Sequence, residues 1–188
     1  MDVPSLFFDV TAGFKDFLTT PTYRKMLLLF MARILAIGPS TVTNLSRVIG
    51  MNPYRSPFHH LLSRYVFDLW PLSLCLAKMI FALPFVDTQR VVLAVDDTTC
   101  LHKGPSVFCR AKHRDGSRSS QGFLIPLMGH KWVVVSVVVR LPFSDRDWSL
   151  PIAAALCVSR AANERDNRRH KTPAHIARLL VAKLVRRF

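Results

Sequence analysis

The sequence is short of negative charge. Its 188 residues hold 12 acids against 26 lysines and arginines, for a formal charge of +14; 11 of the acids are aspartates and Glu164 is the one glutamate. An acidic solvating chain is excluded by that balance, and a disordered one by the 50% of residues that are apolar. Long apolar runs are missing as well. Met26–Ala32 is cut by Arg33 and Leu69–Ala77 by Lys78, both far short of the ~18–20 residues a spanning helix needs. No membrane segment is expected, although mean hydropathy is +0.23. The first residues, Met-Asp-Val-Pro-Ser-Leu, have neither a basic stretch nor a small-residue cleavage site, so no signal peptide is expected. Cys75, Cys100, Cys109 and Cys157 form no CxxC pair and no dense framework, which points to reduced thiols in the cytosol.

What is there is an apolar chain that is basic throughout. Residues 1–95 carry 9 bases and 5 acids, 96–146 carry 8 and 4, and 147–188 carry 9 and 3. Charge spread in this way suits a polyanionic partner, nucleic acid being the commonest. The length fits one domain or two small ones.

A seam near Leu83–Gln89 divides a helical domain, 1–86, from a mixed domain, 87–188. In the first, Tyr23–Ile37 carries Met26, Leu27, Phe30, Ile34 and Ile37 at helical spacing and stops at Gly38-Pro39. Ser40 is expected to cap Thr41–Ile49, with Leu45, Val48 and Ile49 inward, ahead of Gly50 and an Asn52-Pro53 turn. Ser56-Pro57 opens Phe58–Leu69, with Phe58, Leu61, Leu62, Tyr65 and Val66 inward, and Leu72–Phe81 closes the unit. Thr41–Ile49 and Phe58–Leu69 have the form of a helix-turn-helix that would aim Arg55, His59, His60 and Arg64 at DNA. A plain bundle with a basic outer face gives the same pattern.

Beyond the seam the period changes. Arg90–Asp96 reads as a short buried strand, Trp132–Leu141 as the strongest strand, and Trp148–Val158 as a third in which Pro151 marks an edge or bulge. Between the first two lies a polar, basic stretch, His102–Gln121; a turn at Asp145–Asp147 joins the second and third. A charged loop, Ser159–Lys171, leads to Thr172-Pro173, which opens an amphipathic helix with Ile176, Leu180, Leu184 and Phe188 in one row. The class is α/β (α+β), an N-terminal helical domain and then a β-β-β-α core. One mixed or antiparallel sheet with the last helix on a face is expected. A crossover helix normally returns the chain to its sheet, so the pattern reads as one cut short.

The residues that carry chemistry are Ala94-Val95-Asp96-Asp97-Thr98-Thr99, at the expected end of the first strand. A carboxylate leaving an apolar strand is costly unless paired or bound to a cation, and two adjacent ones repel each other. Alternation lets only one of them face a given site. Hard oxygen ligands in a basic protein suggest Mg²⁺ held for phosphoryl chemistry; an Asp-Asp-Thr turn capping local amides is the plainer alternative. Lys103, Arg110, Lys112, His113, Arg114 and Arg118 lie beside the motif and suit phosphate contact or a solvated loop. Cys100, His102, Cys109 and His113 have a spacing that matches no common zinc pattern. Trp132 and Trp148 are expected in the core.

Leu93–Lys103, a hydrophobic strand running into Asp-Asp-Thr, resembles the first-aspartate strand of bacterial insertion-sequence DDE transposases. Gly129-His130-Lys131-Trp132, Trp148–Ile152 and His170–Leu180 resemble that family's second strand, third strand and first core helix, in order. The helical front, with Arg47, Phe58-His59 and Trp70, has a similar cadence. The resemblance implies a ribonuclease-H-like fold and DNA cleavage and strand transfer at transposon ends in double-stranded DNA. It also implies a cytoplasmic, nucleoid-associated protein with two copies pairing in the complete enzyme. Its three carboxylates, Asp, Asp and Glu, hold two Mg²⁺ ions. Only the first maps onto this chain, as Asp97, with Asp96 its rival; Glu164 sits in a basic loop before the helix, the wrong place. The resemblance therefore implies an N-terminal fragment that is inactive alone. A non-catalytic basic DNA- or RNA-binding protein is the alternative.

Overall fold

The computed structural model describes residues 3–51, 57–64, 68–104, 106–116 and 118–188. They form two compact units, dividing between Cys75 and Leu76.

The first unit is helical. α1 (Val3–Thr11) runs into a 3-10 turn (Ala12–Phe17), followed by α2 (Thr20–Leu35), α3 (Val42–Val48) and α4 (Pro57–Arg64). Its core joins Leu29 and Ala32 of α2 to Leu45 of α3 and to Phe58 and Leu61 of α4. α2 is apolar nearly all round, so spacing alone does not choose its inner face. The inner row holds Leu27, Leu29 and Ala32, whereas Ile34, expected inward, is 73% exposed, and Phe30 and Ile37 are exposed too. Val48 and Leu62 likewise face solvent. The cap of α3 is Thr41 rather than Ser40: the Asn44 amide donates to the Thr41 hydroxyl at 3.2 Å. The Asn52-Pro53 turn, Ser56, Tyr65 and Val66 lie outside the described residues. α5 (Leu69–Phe81) runs across the division between the units.

The second unit is an antiparallel sheet built on one long strand. Its strands are β1 (Val92–Leu101), β2 (Ala111–Arg114), β3 (Pro126–Arg140) and β4 (Asp147–Cys157). β1 lies along one edge of β3, from Val92 opposite Val138 to Leu101 opposite Gly129. β2 and β4 share the other edge end to end, Ala111 opposite Gly129 and Cys157 opposite Lys131. The expected three strands and the mixed α+β class are present. β3, however, begins at Pro126, six residues ahead of the expected start at Trp132, because Pro126, Gly129 and His130 hide its strand character. β2 lies in the stretch expected as a polar loop. β4 carries a bulge opposite Val135 and Ser136, beside Pro151.

α6 (Arg160–Arg165) occupies part of the expected charged loop, capped by the Ser159 hydroxyl, which accepts from the Ala162 amide at 3.3 Å. α7 (Pro173–Val185) packs on β3 and β4 and buries Ile176, Leu180 and Leu184, three of the four residues in the expected row. The fourth, Phe188, is half exposed, its ring edge-on to Phe81 at 4.8 Å. Trp148 is also half exposed rather than core. It sits at the sheet's end, where its indole donates to the Ser144 hydroxyl at 2.8 Å.

Candidate active site

β1 delivers two adjacent carboxylates to opposite faces of the sheet. Residues directly opposite in an antiparallel ladder share a face. Asp97, opposite Val133, therefore lies on the face of Val135 and Val137, while Asp96, opposite Val134, lies on the other. The sequence places both aspartates at the end of the first strand, and the structure corrects this: they lie within β1. β1 continues to Leu101 because β3 extends far enough to pair with it.

On the Asp97 face, Val133, Val135 and Val137 are at most 1% exposed. Two residues before Val133 on β3 that apolar row gives way to Lys131. Lys131 stands opposite Thr99, and its ammonium reaches diagonally to Asp97, Nζ to Oδ1, at 3.2 Å. The burial is unequal: the Lys131 side chain is 19% exposed and that of Asp97 43%. Asp96 is exposed and accepts a long hydrogen bond, 3.5 Å, from the Thr98 hydroxyl. Both aspartates border an open cleft of about 800 Å³, shared with Arg114, Asp115 and Arg118.

Asp115 is the third carboxylate of that cleft, and it is buried. Its oxygens are committed to the turn after β2: the Arg118 amide donates to Oδ1 at 3.2 Å, and Arg118 Nε lies 3.8 Å from Oδ2. His113 and Cys157 lie within the field of the central ion pair. Burial holds the His113 imidazole below its ordinary value of 6.5, and the Lys131 ammonium pushes the same way. A hydrogen bond with the Gly129 backbone opposes both. Burial raises the Cys157 thiol, with the Lys131 ammonium opposing and Asp97 adding to the rise. A buried thiol held protonated in this way is no nucleophile.

The basic residues picked out from sequence divide. Arg114 and Arg118 border the cleft. Arg110 instead ties its own loop, donating to the Lys103 carbonyl at 3.0 Å and the His102 carbonyl at 3.4 Å. Lys112 is exposed on β2, opposite Met128, and does not line the cleft. His59 and His60 are exposed on α4, Arg64 is its last residue, and Arg55 lies outside the described residues.

A metal is a separate matter. Among the described residues, no three of His, Cys, Asp and Glu are placed to hold one. Asp97 already faces an ammonium, Asp96 points to the other side of the sheet, Asp115 is tied to its turn, and Glu164 lies on α6. These residues do not make a divalent-cation site. The zinc arrangement fails on geometry too. Cys100 stands opposite His130, whose ring stacks at 4.5 Å on His102, whereas His113 stands opposite Leu127 on the other face.

A family model described as DDE superfamily endonuclease matches residues 13–188. The chain belongs to that family. No curated protein and no solved structure matches it. The matched span runs from the 3-10 turn through α7 and includes both aspartates of β1. The cleft also holds two residues that the sequence does not single out. Asp115 carries only the signal of an Asp-Gly turn. Lys131 carries a better one, since it continues the alternation of Val133, Val135 and Val137 onto the Asp97 face. Reading that signal requires the register of β1 on β3. Among the described residues, no helix is long and apolar enough to cross a membrane.

Proposed function

We propose that this chain is a DNA transposase of the bacterial insertion-sequence type, acting on double-stranded DNA at transposon ends, with Asp97 as its first catalytic carboxylate. The observation that carries the reading is the placement of Asp97 within the family-matched span. Its carboxylate is half exposed, on a paired strand, at the border of a cleft that also holds two arginines. The charge of +14 supplies attraction to the phosphate backbone, and Arg114 and Arg118 are the cleft's phosphate contacts. The exposed His59 and His60 of α4 add a second DNA-facing surface in the helical unit.

The family's chemistry is phosphoryl transfer assisted by divalent cations, which activate the attacking oxygen and stabilise the leaving one. This chain contributes one usable carboxylate to such a centre. By itself it binds DNA and does not cut it, and no catalytic step is assigned to these residues alone.

Two measurements test the reading. Binding to duplex DNA should weaken steeply with salt, about 10³-fold or more between ~50 and ~200 mM if six or more phosphates are contacted; a flat response in a filter-binding series sinks the DNA assignment. In a plasmid-nicking assay with Mg²⁺ or Mn²⁺, residues 1–188 and their Asp97→Ala variant should be equally silent. In a longer chain that carries the further carboxylates, Asp97→Ala should abolish cleavage and Asp96→Ala should spare more of it. The Asp97–Lys131 ion pair favours a second reading, a non-catalytic nucleic-acid-binding protein. Salt-sensitive DNA binding with no cleavage by that longer chain would support the second reading.

A further inference from the structure

The family's need for a cation at its first carboxylate and the observed surroundings of Asp97 disagree, and Lys131 is where they disagree. We propose that Lys131 is the resident counter-ion of Asp97, a tethered ammonium that keeps a divalent cation off this carboxylate. The inference rests on the reading of Asp97 as a cation-binding carboxylate.

Geometry sets the two cations in competition for one carboxylate oxygen. Mg²⁺ bonds carboxylate oxygen at ~2.0–2.1 Å, so an ion on Oδ1 could lie no further than ~5.3 Å from Nζ, the ammonium being 3.2 Å from that oxygen. Lys131 is not a surface lysine free to swing away. Its side chain is four-fifths buried, and its diagonal approach is fixed by a β1–β3 ladder that continues in register on both sides of the pair. The other two carboxylates of the cleft are placed elsewhere. Asp115 is engaged by Arg118, and Asp96 stands on the opposite face. His113 and Cys157, on the same face, both feel the Lys131 charge: it helps to lower the His113 imidazole and opposes the rise of the Cys157 thiol. Among the groups named on this face, Asp97 is the one that balances the ammonium.

The test uses the whole 188-residue chain, ¹⁵N-labelled and titrated with Mn²⁺, reading paramagnetic broadening of the β1 and β3 amides around Asp97. Lys131→Met should reach half-broadening at about fivefold lower Mn²⁺ than wild type, the equivalent of ~1 kcal/mol for a half-exposed ion pair. Lys131→Arg, which keeps the charge, should follow wild type, and adding Asp97→Asn to Lys131→Met should remove the broadening. Arg114→Gln deletes a charge from the same cleft without touching Asp97 and should shift the midpoint less than about twofold. Lys131→Gln replaces Lys131→Met if the latter loses its sheet dispersion. If broadening depends on Asp97 but ignores Lys131→Met, the counter-ion proposal fails while the reading of Asp97 stands. If Arg114→Gln shifts the midpoint as far as Lys131→Met, a general field is at work and the proposal also fails. If no variant shows Asp97-dependent broadening, the reading of Asp97 fails and takes the proposal with it.

Discussion

Replacing Gly129 with alanine should unsettle the strand that carries Asp97. Gly129 is the residue of β3 flanked by both β1 and β2, opposite Leu101 on one side and Ala111 on the other. A Cβ built there strikes the Cys100 carbonyl oxygen and lies 2.8 Å from the carbonyl carbon and 3.1 Å from Leu101 Cα. All three atoms are backbone, so no side chain can rotate out of the way, and the ladder itself must move. The backbone of Gly129 is not left-handed, so steric overlap is the whole of the penalty. Inserting a methyl group into a packed site costs ~1–3 kcal/mol. Glycine-to-alanine returns ~0.4–1 kcal/mol by restricting the unfolded chain. The net is a loss of about 1–2 kcal/mol, or a fall in Tm of ~2–8 °C for a chain of this length. Gly122→Ala is the control: a Cβ there meets nothing within 4 Å, so that variant should be neutral or gain up to ~1 kcal/mol. Urea unfolding followed by far-UV circular dichroism measures both. Should Gly129→Ala match or exceed wild type in midpoint at unchanged m-value, the close approach of β1 to β3 is wrong.

Two further outcomes follow from the same unit. Leu184 is 3% exposed on α7, and Leu184→Ala should cost ~2–5 kcal/mol through lost burial and a residual cavity. A loss below ~1 kcal/mol in urea unfolding would mean that α7 does not seal the sheet. His113 should titrate below 6.5 in the folded chain. With the folded value below the unfolded one, the unfolded chain binds more protons. The contribution of His113 is therefore full above 6.5 and lost as pH falls through the lowered value. An NMR titration of its ring that gives a value at or above 6.5 would contradict the burial, and His113→Gln should flatten that part of the stability–pH curve.

Sequence pattern conveyed the second unit better than the first, for a physical reason. The valine run of β3 is a short, β-branched stretch that suits a strand whichever way it faces, and the 176-180-184 row of α7 lies on one apolar face that is buried. α2 is apolar on every side, and only the packing of α3 and α4 chooses Leu29 and Ala32 over Phe30 and Ile34. β2 and the start of β3 are paired by backbone hydrogen bonds across residues with poor strand character, Pro126 and Gly129 among them, which no local propensity reveals. The candidate site divides in the same way. That Asp96 and Asp97 face opposite sides follows from the pleat alone. That Lys131 stands 3.2 Å from Asp97 depends on a register set between strands far apart in the chain.

Every ladder of the sheet has β3 as one of its two rails, since β1, β2 and β4 pair with it and not with one another. That arrangement imposes an order on assembly. β4 is reached from β3 through residues 141–146, whereas β1 is connected to β3 through residues 102–125. The shorter connection loses less chain entropy on closing, so the β3–β4 hairpin forms ahead of the β1–β3 ladder. Asp97 thus arrives on β1, the strand that joins later. Its carboxylate meets Lys131 only once that ladder has closed, which makes the site a late product of folding rather than part of its nucleus.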